Sequence, residues 1–79
     1  MDIIRLAEGI FFNKKKNVLF IQVIDKDVIY YKRINGNFVC VGSIKHGKDV
    51  KISDEFYDNF IADKLYLARQ KLSELRIAA

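Results

Sequence analysis

The chain has 79 residues, 51% of them hydrophobic and 30% charged, with a formal net charge of +4 and a pI of about 9.3. That makes one small domain, too apolar for a disordered tail and too weakly basic for a protein that coats DNA. One cysteine, Cys40, excludes an internal disulfide framework and points to a reducing, cytoplasmic setting.

The first residues lack the basic and apolar regions of a signal peptide. No uncharged run reaches the roughly eighteen apolar residues of a membrane span. A chain this short buries only about 60% of its unfolded surface, so self-association is one way of gaining more burial.

Residues 1–9 read two ways. Ile3, Ile4, Leu6 and Ala7 suit one helical turn stopped by Gly9, or a strand with Gly9 at a bend. Ile10-Phe11-Phe12 reads as a strand, and Asn13-Lys14-Lys15-Lys16-Asn17 as the connection after it. Three apolar runs follow, Val18–Ile24, Val28–Ile34 and Asn37–Ile44, separated by Asp25-Lys26-Asp27 and by Asn35-Gly36. Their β-branched and aromatic content predicts an antiparallel meander, and Asn-Gly predicts a type I′ hairpin.

With that turn at the tip, Arg33 pairs with Phe38, Tyr31 with Cys40 and Ile29 with Gly42. Leu19, Ile21 and Val23 share one face; Val18, Phe20, Gln22 and Ile24 share the other. Neither side is polar throughout, so both faces want cover. Cys40, mid-strand, is expected to be a small buried apolar residue.

After the turn Lys45-His46-Gly47-Lys48-Asp49 comes a short strand, Val50-Lys51-Ile52. Ser53 is then an N-cap, with Asp54 and Glu55 in the first helical turn. Ile61, Leu65, Ala68, Leu72 and Leu75 recur at helical spacing, widened by Phe56, Phe60 and Leu67, which predicts one amphipathic helix from Asp54 to Arg76. Such a helix spans about 35 Å, against about 23 Å for a seven-residue strand. Leu72 and Leu75 are therefore expected to overhang the sheet, and a homodimer is expected to cover them. The fold class is α+β: a meander of four to five strands, open or curled into a barrel, then one helix.

The residues suited to chemistry have plainer explanations. Gly42 to Asp49 nearly matches the phosphate-binding pattern G-x-x-x-x-G-K-[ST], but Asp49 stands where a hydroxyl is required. His46 is the single histidine, so no histidine pair exists for a metal. Asp25 and Asp27 are turn formers before they are a carboxylate pair, and Asp54, Glu55 and Asp58 suit a helix start. No acid, base and nucleophile come together, so neither an enzyme, a cofactor nor a small-molecule substrate is expected.

Charge is unevenly laid out: ten basic against five acidic residues through Ile52, and four against five after it. Lys14, Lys15, Lys16, Lys32, Arg33, Lys45, Lys48 and Lys51, with Tyr30, form a candidate nucleic-acid surface. Tyr57, Tyr66, Arg69, Leu72 and Leu75 on the helix form a candidate protein-interaction surface.

Five short strands, a basic loop and a terminal helix resemble the SH3-like and Sm-like small barrels, a likeness of architecture that carries no functional residues. The wealth of Ile, Lys and Asn suggests an AT-rich genome. It suits a phage or mobile-element regulator or inhibitor that binds a larger protein, the alternative being a nucleic-acid-binding module.

Overall fold

The computed structural model describes residues 2–23, 27–45, 47 and 55–76, the last range without the side chains of 55–58. Five strands, β1 (Ile3–Ala7), β2 (Ile10–Asn13), β3 (Val18–Gln22), β4 (Val28–Ile34) and β5 (Asn37–Ser43), precede one helix, α1 (Glu55–Glu74). They form an antiparallel meander in the order β1-β2-β3-β4-β5.

β1 and β5 do not pair, so among the described residues the sheet is open rather than a barrel. Residues 3–7 are a strand, not a helical turn. The expected strand at Val50–Ile52, the N-cap Ser53, and Ile24, Asp25, Lys26, His46, Lys48, Asp49 and Asp54 lie outside the described residues, as do the side chains of Glu55, Phe56, Tyr57 and Asp58.

The β1–β2, β2–β3 and β4–β5 turns each contain a residue that tolerates positive φ. Gly9 (φ 73°) joins β1 to β2, and Asn35 (φ 51°) with Gly36 (φ 80°) joins β4 to β5, as type I′ chemistry requires. In the β2–β3 turn the Lys16 amide donates to Asn13 Oδ1 at 3.0 Å. Asn17 (φ 57°) accepts from the Arg33 amide and donates its side-chain amide to the Arg33 carbonyl. The lysine-rich turn is thereby tied to β4.

Cross-strand register sorts the side chains. Ile4–Phe12–Leu19–Tyr31–Cys40 and Ala7–Ile10–Ile21–Ile29–Ser43 form two rows on one face. Helix α1 covers that face with Ile61, Ala68 and Leu72, and Ile10, Phe12, Leu19, Ile21 and Ala68 are wholly buried. Arg33–Phe38 and Tyr31–Cys40 pair as the Asn-Gly tip predicts, but Ile29 pairs with Ser43, not Gly42. Val41 is an extra residue at a bulge, which turns Ser43 inward.

Cys40 is exposed, contrary to expectation, because it lies on the edge strand β5. Leu72 is 2% exposed and belongs to the core, so the expected overhang is confined to Leu75, at 53%. The helix resolves the length mismatch by bringing its last turns over the β4–β5 end of the sheet, where Arg69 stands 5.7 Å from the Phe38 ring.

Two consequences can be measured. A Cβ on Gly42 would run into the carbonyl of Gly47, which exchanges hydrogen bonds with Ser43, and would come within 3.1 Å of the Tyr30 hydroxyl. The obstacle is backbone, so Gly42→Ala costs about 1–3 kcal/mol in urea denaturation. No loss of stability would mean that this approach is not native.

Burial, with Cys40 opposite as a lesser cause, pushes the Tyr31 hydroxyl up to about 12. The unfolded tyrosine ionises near 10. The stability held by the neutral folded form is therefore complete below about pH 10 and lost as pH rises toward 12. Absorbance titration at alkaline pH is expected to show a late-ionising component in the folded protein that is lost in Tyr31→Phe.

Candidate interaction surface

The second face of the sheet carries Arg5–Phe11–Phe20–Tyr30–Gly42 in one row and Ile3–Asn13–Val18–Lys32–Val39 in the next. No strand or helix among the described residues covers it, although the Gly47 backbone lies over its Gly42 end. Phe20 and Tyr30 stand with ring centroids 6.2 Å apart, tilted at 41°. These two and Phe11 are only half-buried, while Ile3, Ile34 and Val39 are each about half exposed. Arg5 and Lys32 are exposed on the same face, and no acidic side chain among the described residues lies on it. The result is an apolar surface with a sparse positive charge.

The expected nucleic-acid set is only partly brought together. Lys14, Lys15 and Lys16 are exposed on the β2–β3 turn. Lys32 is beside them, since it pairs with Val18 at the start of β3. Tyr30 shares the outer face with Lys32, as residues two apart in a strand must.

Arg33 does not join them. The pleat sends it to the helix side, where its guanidinium carbon lies 6.0 Å from the Phe12 ring centroid. Lys45 is exposed at the opposite end of β4, where its amide donates to Asp27 Oδ1 at 2.9 Å. Lys48 and Lys51 lie outside the described residues.

Of the expected helix set, Tyr66 is exposed and its hydroxyl accepts from Gln70 Nε2 at 3.1 Å. Arg69 and Leu75 are exposed as well. Leu72 is withdrawn from the set because it is buried against the sheet, and the Tyr57 side chain lies outside the described residues.

The sequence placed Val39 on the face of Tyr30 and Lys32, and the structure agrees, but Phe11 and Phe20 were missed as companions of Tyr30. The signal was present: closing the 13–17 turn with Asn13 opposite Val18 sets Phe11 against Phe20. Among the described residues, no three His, Cys, Asp or Glu side chains gather as a metal site, and no helix is long and apolar enough to cross a membrane.

No protein-family model, curated protein or solved structure matches this chain.

Proposed function

We propose that the protein is a non-enzymatic interaction module that binds another protein through the outer face of its sheet. The observation carrying this reading is the half-buried row Phe11–Phe20–Tyr30, which no strand or helix among the described residues covers, bordered by Val18, Val39 and Ile34, beside a core that the helix already serves on the other side. Apolar aromatic centres with isolated basic residues at the margin are the composition of protein interfaces.

Five strands at about 4.8 Å spacing and about 20 Å long offer roughly 500 Å² of sheet, near the small end for a specific interface. A homodimer through this face would bring Arg5 and Lys32 of both copies into a surface with no acidic residue among those described. The charge layout favours a different protein with acidic groups at its rim.

Val39→Glu tests this, because Val39 is on the outer face and its replacement leaves the core intact. Capture of a partner from nuclease-treated native extract is expected to weaken at least thirtyfold in Val39→Glu, and to persist in Tyr66→Ala. Equal capture by both variants would overturn the assignment. Sedimentation of the purified protein follows in parallel; a dimer that Val39→Glu dissociates would replace the foreign partner with a second copy.

Single-stranded nucleic acid is the second reading, favoured by Lys32 and the Lys14–Lys16 turn lying at the same end of the aromatic row. It requires binding that falls steeply with salt. The largely aliphatic margin, Ile3, Val18, Ile34 and Val39, offers bases little to stack upon.

A further inference from the structure

The Phe11–Phe20–Tyr30 row is bounded at both ends. On β1 its neighbour is Arg5, which is exposed. On β5 its neighbour is Gly42, and there the Gly47 backbone lies so close over the face that a Cβ on Gly42 would strike the Gly47 carbonyl. Between these bounds the floor covers β2, β3 and β4, two strand spacings or about 10 Å across. That is close to the width of one α-helix with its side chains, about 10–12 Å, and narrower than the usual sheet of about four to six strands.

Each strand of this floor has a neighbour on both sides, so its backbone N–H and C=O groups are engaged in the ladders. An extended peptide laid over it would hold its own backbone groups against apolar rings without partners. A helix satisfies its backbone internally. The opposite face of the same sheet already seats one, through Ile61, Ala68 and Leu72. Charge selects among helices. Lys32 stands in the next row and Lys14, Lys15 and Lys16 on the turn beyond it, all exposed, with no acidic side chain among the described residues on this face.

Given binding through the outer face, the reading on which this step rests, we infer that the partner docks by one acidic amphipathic helix laid along the strands over β3. Its apolar side chains meet Phe11, Phe20 and Tyr30, and its acidic ones lie toward Lys32 and the lysine turn.

The test places a photoreactive benzophenone at Phe20 or, in a second variant, at Val39 of the full chain. After irradiation in nuclease-treated native extract, the cross-linked residues are mapped by mass spectrometry, and the segment carrying them is synthesised as a peptide. That segment is expected to be net negative, with apolar residues three and four apart. The peptide is expected to gain helical circular dichroism on binding the purified protein. Its affinity is expected to fall about tenfold in Lys32→Glu, an exposed change that leaves the melting temperature in place, and to stay unchanged in Tyr66→Ala.

A segment that binds without gaining helix, that is not acidic, or that binds Lys32→Glu undiminished would overturn the helix while leaving the outer face as the binding surface. Cross-links to nucleic acid alone, to a second copy alone or to nothing would remove the foreign partner, and its helix with it.

Discussion

Phe12→Ala is expected to destabilise the protein by about 3–5 kcal/mol, and Phe11→Ala, its neighbour, by only about 1 kcal/mol. Phe12 is wholly buried in the row Ile4–Phe12–Leu19–Tyr31, under the helix and within 6.0 Å of the Arg33 guanidinium. Removing its ring leaves a cavity that a small sheet cannot collapse around. Phe11 points the other way and is only half-buried beside Phe20. A domain of this length holds roughly 4–12 kcal/mol in all, so the first variant is expected to be largely unfolded or close to it. Urea denaturation of both variants decides it, and equal losses would mean that the two faces are not divided as described.

Asp27 carries the second large effect. It is 8% exposed, and its Oδ1 accepts from the amides of Val28 and Lys45, both at 2.9 Å. Its carbonyl accepts from Val23, and the Val28 carbonyl accepts from Ile44. One side chain thus ties the β3–β4 turn to the turn after β5, eighteen residues on.

Asp27→Ala leaves those two amides without their acceptor and is expected to cost about 2–4 kcal/mol. Asp27→Asn keeps an acceptor oxygen and is expected to recover part of the loss. The paired variants separate the hydrogen bonds from simple truncation. A cost below about 0.5 kcal/mol for alanine, the range of ordinary surface changes, would remove Asp27 from this role.

Asp27 also shows where reading the chain stops. As a residue of Asp25-Lys26-Asp27 it is recognisable as a turn former, because short polar side chains between two apolar runs bond nearby backbone. That it reaches Lys45 depends on β4 and β5 returning the chain to the same end of the sheet.

The same holds for Arg33. Its place beside Tyr31 and Lys32 suggests one basic aromatic cluster, yet alternation in β4 divides the three between opposite faces. Cys40 was expected inside on residue type alone, and its exposure follows from β5 being an edge.

Local chemistry was sufficient for the meander, the Asn-Gly hairpin and the helical stripe. Turn residues, period-two runs and three-four spacing act over a few residues, and no distant partner is needed to see them. The bulge at Val41, the burial of Leu72, the open outer face and the meeting of Arg33 with Arg69 and Arg76 were decided only by packing. All but the bulge depend on where a single helix comes to rest on a sheet with two apolar faces. A helix can satisfy only one of them, and which side chains remain available to a partner is set by that choice.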